Sequence, residues 1–150
     1  MDEISLKIFS PLYLVGKEIP CWKCGGTMPV IALIATRVEE MDDEICILSD
    51  IEELPQDILH HMAKRSPSFK LQYSQTLGES YYGNTCPHCS MLTGDHYLHA
   101  TPGGAFFPVN EEEARRLYIT EIPIKAPVFI EAAYRIGVGD LILECAQKIS

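Results

Sequence analysis

The chain has 150 residues, of which 47% are hydrophobic and 22% are charged, and it carries a formal net charge of −9. This length fits one domain around a single core, and the composition is typical of globular proteins. No apolar run approaches the ~20 residues that a membrane-spanning helix needs, so a membrane protein is not expected. Because the first residues lack a basic segment followed by an apolar one, no signal peptide is predicted and the expected compartment is the cytoplasm.

Strands dominate the predicted elements of the first half. Alternating apolar residues and a β-branched run predict strands over residues 5–9, 12–15, 28–36 and 44–50. A short helix is predicted from Leu54 to Arg65, because Pro55 suits a helix start and basic residues occupy the last turn. The apolar face of this helix consists of Leu54, Ile58, Leu59 and Met62.

The second half mixes strands and helices. Two strands are predicted around Leu77-Gly78, and residues 95–100 are expected to form the return strand of a hairpin. A helix capped by Asn110 follows, because its acidic start and basic end match the helix dipole. The remaining predicted elements are a short strand between Pro123 and Pro127, a strand over residues 128–136 and a terminal helix beginning near Asp140.

These elements predict an α+β fold with antiparallel strands, about three short helices and a metal site built from two hairpins. The whole chain, residues 1–150, is expected to form one domain. The two hairpins are predicted at about residues 17–36 and 79–100, with an acidic and helical segment inserted between them.

Four of the six cysteines lie in two Cys-x-x-Cys pairs, which are Cys21 with Cys24 and Cys86 with Cys89. Each pair lies at the tip of a predicted hairpin, and two hairpins that supply two thiolates each can form a tetrahedral zinc site. A residue that tolerates a positive φ is favoured just after each pair; Gly25 and Gly26 meet this need, whereas Ser90 departs from it. We therefore expect one structural zinc ion, bound by the four cysteines.

The segments "CWKCGG" and "CPHC", in this hairpin context, resemble those of zinc-ribbon proteins. That resemblance implies a closed, structural zinc site and no particular biological role. More of the chain is similar to small bacterial and phage-borne proteins of unassigned function, through "CWKC", "CPHC", "GDHYLH" and "PGGAFF". The interval from Cys24 to Cys86 is longer than the roughly 15 to 20 residues of compact ribbons, which an insertion between the hairpins explains.

Other interpretations of the cysteines and histidines stay open. A redox dithiol is disfavoured because Pro29 and a β-branched run follow Cys24, where a redox site would have a helix start. Iron could bind to the same four sulfurs. His96 and His99 could join the second cysteine pair in a rival site, but positions three apart on a strand face opposite sides. His88 is expected to point to solvent.

Three further side chains or pairs carry simpler expectations. Cys46 and Cys145 are flanked by apolar residues and are expected in the core. His60 and His61 are expected on the surface of the first helix. Trp22 lies between two zinc cysteines, where it could be exposed to a partner, although packing over the metal site is the more usual arrangement.

The negative charge is concentrated between Glu39 and Asp57, where nine acids occur without a lysine or arginine. Such a surface repels phosphate backbones and suits a basic protein partner, although a charge run can also serve only to solvate a loop. No catalytic or phosphate-binding motif is present, and four thiolates would leave zinc no open position, so an enzyme is not expected.

The sequence thus predicts a zinc-stabilised, acidic protein that binds another protein, as an inhibitor, immunity protein or adaptor. A nucleic-acid-associated regulator is the alternative. The candidate contact residues are Trp22, Asp42, Asp43, Glu44, Glu52 and Glu53.

Overall fold

The computed structural model describes residues 4–74 and 78–149, which form nine strands, three α-helices and one π-helix. The strands are β1 Ile4–Pro20, β2 Thr27–Val38, β3 Cys46–Glu53, β4 Phe69–Ser74, β5 Glu79–Thr85, β6 Leu92–Thr93, β7 Tyr118–Ile122, β8 Val128–Arg135 and β9 Gln147–Lys148. The helices are α1 Gln56–Arg65, α2 Glu111–Arg115, α3 Gly139–Cys145 and the π-helix His96–Ala100. No helix in these described ranges has the length and apolar character needed to cross a membrane.

Four strands close into a small barrel. β1 pairs with β2, β2 with β3, β3 with β8, and β8 returns to β1, always antiparallel. The 17-residue β1 reaches beyond the barrel, because its first part pairs with β8 and its second part pairs with β7. Ile51 of β3 pairs with Tyr82 of β5, which connects the barrel to the antiparallel sheet of β4, β5 and β6. The fold is therefore mostly antiparallel, with few helices.

Both faces of β2 are buried, which explains why residues 28–36 form an unbroken apolar run. One face packs into a core cluster with α1, and the opposite face packs into a second cluster beside α3. The two sets are Ile31, Leu33 and Ala35 on the first face, and Val30, Ala32 and Ile34 on the second. Cys21 and Cys86 belong to the second cluster, so the cysteine site is continuous with the core.

Several predicted elements are confirmed. α1 buries Ile58 and Met62, and the side-chain oxygen of Asn110 caps α2 by accepting a hydrogen bond from the Glu113 amide at 2.9 Å. Gly78 has a φ of 73°, as a turn between β4 and β5 requires, while Leu77 lies outside the described residues. β8 alternates as predicted, with Ile130 buried and Phe129 exposed.

The return strand predicted over residues 95–100 is wrong. β6 ends at Thr93, and residues His96–Ala100 form a π-helix. The backbone of Asp95 turns into the right-handed helical region, and its buried carboxylate accepts a hydrogen bond from the Asp50 amide at 2.8 Å. A side chain held in that way redirects the chain away from β5, so the hairpin has only a short second strand.

Three other boundaries also differ from the sequence-based expectations. Of the described residues, those between Pro123 and Pro127, where a short strand is predicted, form no strand, and the nearest strand before them, β7, ends at Ile122. Both prolines lack the N–H that is needed for hydrogen bonding between strands. The two strands predicted over residues 5–9 and 12–15 are one continuous strand, β1. The terminal helix, predicted to extend to residue 149, ends at Cys145, and β9 follows it.

Candidate metal centre

Both cysteine pairs lie in six-residue loops at the tips of antiparallel hairpins. The β1–β2 ladder ends at Pro20 paired with Thr27, and the β5–β6 ladder ends at Thr85 paired with Leu92. The loops between these ends are residues 21–26 and 86–91. The predicted position of each Cys-x-x-Cys pair at a hairpin tip is therefore confirmed.

The two loops repeat one backbone pattern. In the first loop, the Cys21 amide donates to the Gly26 carbonyl at 2.8 Å, and the Gly25 amide donates back to the Cys21 carbonyl at 2.9 Å. In the second loop, the Cys86 amide donates to the Met91 carbonyl at 2.9 Å, and the Ser90 amide donates to the Cys86 carbonyl at 2.8 Å.

Ser90 occupies the position that glycine holds in the first loop. Gly25 has a φ of 73° and Ser90 has a φ of 66°, so both residues adopt the left-handed conformation. Ser90 thus departs from the expected residue type without changing the backbone, and it carries the steric cost that a Cβ atom brings to this region.

The two loops bring four sulfur atoms together. All four Sγ atoms lie within 4.8 Å of one another, with Cys21 3.6 Å from Cys89 and Cys24 3.6 Å from Cys86. Four sulfurs at about 2.3 Å from a tetrahedral zinc ion would be about 3.8 Å apart. The cysteines are free and not joined by disulfides. The group therefore has the composition and spacing of a site that could bind one metal ion.

Backbone amides point at these sulfurs. The amides of Lys23 and His88 lie 3.4 Å from the Sγ atoms of Cys21 and Cys86, and the Gly26 amide lies 3.4 Å from Cys24 Sγ. Such amides stabilise thiolates, which are the form that binds metal.

The pKa values of two of the thiols depend on the loop backbone and on the neighbouring sulfurs. The Cys24 amide is the main cause that lowers the pKa of Cys21 to about 6. At Cys89, the Met91 amide also lowers the pKa, but desolvation and the other thiols outweigh it and raise the pKa to about 11. Without a metal ion the group therefore does not hold four thiolates at neutral pH, and a cation would supply the missing counter-charge.

Each loop also reaches across to the other hairpin. The indole N–H of Trp22 donates to the Leu92 carbonyl at 3.0 Å, and Nε2 of His88 lies 3.1 Å from the Thr27 carbonyl. Because a carbonyl only accepts, His88 donates from Nε2. Thr27 and Leu92 occupy equivalent places, each being the first residue after its loop. The expectation that His88 points to solvent is therefore wrong in part: its residue is exposed, but its ring is held against the first hairpin.

A buried side chain joins the same two hairpins further from the cysteines. Asn84 of β5 accepts from the Ile31 amide at 2.9 Å and donates to the Ile31 carbonyl at 3.1 Å. Its side chain thus pairs with β2 as another strand would. Sequence reasoning missed Asn84, because the only local signal is a polar residue just before a cysteine pair.

The rival histidine site is not formed. Neither His96 nor His99 belongs to a cluster of three or more candidate metal ligands in the described part of the chain. His99 is buried against Phe106, with ring centroids 5.0 Å apart, and burial together with Arg135 lowers its pKa to about 3. His96 is exposed. His99 is therefore a neutral core residue.

The other two cysteines lie apart from the four-sulfur group. Cys46 is buried as predicted, and burial together with Glu44 raises its pKa to about 11. Cys145 is only half-buried, so its assignment to the core is wrong in part. It lies instead with Glu111 and Glu144 in an exposed group of candidate ligands.

The candidate contact residues are spread over three places. Trp22 is 61% exposed beside the cysteines, although its indole N–H is bonded to the Leu92 carbonyl. Asp42, Asp43 and Glu44 are exposed in the loop between β2 and β3. Glu52 and Glu53 lie at the end of β3, in the wall of a groove. Their role in partner binding stays a prediction.

Comparison with protein-family models, curated proteins and solved structures finds no match to this chain.

Proposed function

We propose that the chain binds one zinc ion through Cys21, Cys24, Cys86 and Cys89, and that the zinc-bound protein acts by binding another protein. The observation that carries the metal assignment is the approach of four Sγ atoms to within 4.8 Å at the tips of two hairpins that are distant in the sequence. Four thiolates in a tetrahedral arrangement suit zinc or iron and disfavour hard cations such as Mg²⁺ and Ca²⁺, and zinc is the usual ion of closed structural sites.

The proposed zinc has a structural role. Four thiolates complete a tetrahedral shell and leave no position for water or substrate. Cys21 and Cys86 belong to the second core cluster, which lies beneath the two loops. The ion would therefore join the tips of two hairpins that already pack against each other in the core. When bound, the ion supplies a cross-link and compensates the charge of the thiolates.

Protein binding is supported by what the chain presents to solvent. A tryptophan that is 61% exposed lies beside the cysteines, and the segment from Glu39 to Asp57 contains nine acids and no lysine or arginine. Exposed aromatic residues are frequent anchors in interfaces, and an acidic surface speeds association with a basic partner.

Elemental analysis tests the metal assignment. Protein purified without added metal should contain about one zinc ion per chain, and Cys86→Ser should lose it. Cys145→Ser is the matched control, because Cys145 is half-exposed and lies outside the four-sulfur group. A stoichiometric iron content would show that the metal is not zinc. Zinc retained by Cys86→Ser would refute the four-cysteine site.

Affinity capture from the native host, with the zinc-loaded protein as bait, tests the second part of the proposal. We expect a specific protein partner whose association slows as salt is raised. Capture should weaken when Asp42, Asp43, Glu52 and Glu53 are changed to Asn or Gln. Stringent capture that yields no specific protein would refute the binding role.

Nucleic-acid binding is the second candidate, and one observation favours it. On the outside of the barrel, the cationic groups of Lys7 and Arg37 lie 5.7 and 5.9 Å from the centroid of the Phe9 ring. Surfaces that bind single-stranded nucleic acids combine basic and aromatic side chains in this way. Two observations stand against it: Glu39 pairs with Lys7 at 3.6 Å, and the net charge of the chain is −9.

Fluorescence polarisation with single- and double-stranded oligonucleotides tests this candidate. We expect no salt-sensitive binding at physiological salt. Micromolar binding that Arg37→Gln abolishes would favour nucleic-acid binding instead.

A further inference from the structure

A groove of about 660 Å³ lies where the end of β3 and the start of α1 face the start of β8. Tyr82, Val128 and Phe129 form an apolar part of its wall, while Glu52 and Glu53 bring carboxylates to it. No lysine or arginine is among the described residues that line it. Its volume is in the range of sites that hold a small ligand or a few side chains.

Phe129 is the most exposed apolar side chain of this groove, with 61% of its surface accessible. It projects from the outer face of β8 opposite Lys7 of β1, whose ammonium group lies 6.0 Å from the ring centroid. That lysine also pairs with Glu39 at 3.6 Å, and Glu39 does not line the groove. A large aromatic ring left open beside a groove is typical of a binding surface.

The acids of this region face one another. Glu53 of β3 is paired directly with Glu131 of β8, and Glu131 shares the outer face of β8 with Phe129. Like charges directly opposite each other across two strands are destabilising. None of the ion pairs among the described residues includes either carboxylate. A cation placed between them would therefore remove a repulsion as well as form new contacts.

We propose that this groove binds an extended segment of a partner protein in which a lysine or arginine is flanked by apolar residues. The basic side chain lies at the rim of the groove, beside Glu53 of the lining and its cross-strand partner Glu131, which is not itself a lining residue. An apolar neighbour packs on Phe129 and Tyr82. This inference rests on the proposed protein-binding function and assigns it to one surface. It also separates Glu53 from the acids of the β2–β3 loop, which lie outside the groove.

The test uses a capped tetrapeptide of alternating leucine and arginine as the probe, titrated into the zinc-loaded, isotopically labelled protein. We expect saturable changes in the amide chemical shifts of Gln56, Val128 and Phe129, and weaker binding as salt is raised. The double variant Glu53→Gln/Glu131→Gln should weaken binding by roughly 3- to 10-fold, because two exposed charge contacts are lost. Phe129→Ser should weaken it through the apolar contact.

Matched variants control for charge and for exposed aromatic surface. Glu121→Gln/Asp140→Asn removes the same charge from exposed positions outside the groove, and Tyr97→Ser removes a ring that is 58% exposed elsewhere; neither should change peptide binding. A capped tetrapeptide of alternating leucine and glutamate is the control for the charge of the probe. The inference is overturned if no saturable shifts occur at the groove, if the glutamate peptide binds equally well, or if the control variants weaken binding as much as the groove variants.

The experiments distinguish a failure of the groove inference from a failure of the proposed protein-binding function. A host partner that binds normally to Glu53→Gln/Glu131→Gln and to Phe129→Ser would overturn the groove and leave protein binding intact. Peptide binding at the groove without any captured host protein would leave the groove intact and refute the binding role in the host.

Discussion

The side chain of Asn84 makes two hydrogen bonds to the backbone of a single residue, Ile31, at 2.9 Å from the amide and 3.1 Å from the carbonyl. Asn84 is 1% exposed and Ile31 is 1% exposed, so water cannot replace these bonds. The two hairpins that carry the cysteines are thereby joined inside the core as well as at their tips. The candidate metal ion would then join two hairpins whose relative orientation the Asn84 side chain already fixes.

Replacing Asn84 should separate the hairpins. Asn84→Leu keeps the approximate volume but leaves the amide and carbonyl of Ile31 buried without partners, which should lower the free energy of unfolding by about 2 to 4 kcal/mol. Zinc should also be lost faster to a chelator, because the two loops are no longer held in register. Denaturant unfolding and a colorimetric chelator measure the two effects.

Asn110→Ala is the control for a general loss of stability. It removes the cap of α2 and should cost about 1 kcal/mol without changing the rate of zinc loss. Equal rates of zinc loss from Asn84→Leu and from the parent protein would contradict the coupling between the buried amide and the metal site.

The contacts that Trp22 and His88 make to the opposite hairpin should slow the release of the proposed zinc ion. Trp22→Phe removes the N–H that reaches Leu92, and His88→Ala removes the ring that reaches Thr27. Each change should lower the free energy of unfolding by about 0.5 to 1.5 kcal/mol and speed zinc transfer to a chelator. Lys23→Ala, at an exposed position in the same loop, should leave both quantities unchanged. Zinc release that is unaffected in both variants would show that these contacts do not hold the loops together.

The positive φ at Ser90 predicts opposite effects for two matched substitutions. Ser90→Gly should raise the free energy of unfolding by up to about 1 kcal/mol, because glycine adopts a φ of 66° without steric cost. Gly25→Ser should lower it by a similar amount, since an added Cβ there meets no atom within 4 Å and only the backbone is strained. Thermal unfolding in excess zinc measures both. A loss of stability in Ser90→Gly would mean that the serine side chain matters more than its backbone conformation.

Asp95 should make stability depend on pH. Burial is the main cause that raises its pKa from 3.8 to about 7, and the charge of Asp50 adds to this, while the hydrogen bond from the Asp50 amide acts in the opposite direction. The folded chain therefore binds this proton more tightly than the unfolded chain. Its contribution is fully present below about pH 4 and is lost as the pH rises to about 7, which amounts to a decrease on the order of 4 kcal/mol.

The measurement compares the parent protein with Asp95→Asn at each pH, in excess zinc, so that protonation of the cysteines affects both alike. Asparagine can still accept from the Asp50 amide but does not titrate, so the difference in free energy of unfolding should change between pH 4 and 7 and level off above it. Asp42→Asn, at an exposed position, should run parallel to the parent. A difference that is constant with pH would exclude a raised pKa at Asp95.

The sequence predicts the parts of this fold that depend on local pattern. Residues 28–36 could be assigned to a strand because both of its faces are apolar, and the cysteine spacing was enough to place two loops at hairpin tips. Residues 95–100 could not be assigned correctly, because the alternation of apolar and polar residues fits a strand while a distant amide, that of Asp50, fixes Asp95 in a turn. Asn84 escaped notice for the same reason, since its partner is 53 residues away.

The closed ring of strands has a consequence for the order in which the chain folds. The β1–β8 ladder joins residues 4–8 to residues 128–132, whereas both cysteine loops lie before residue 92. During synthesis the two loops therefore emerge and can meet well before β8 exists. Contacts between distant segments carry the largest entropic cost and form late. We expect the nascent chain to be able to bind the proposed zinc ion while the barrel is still open, and β8 to enter last, between β1 and β3.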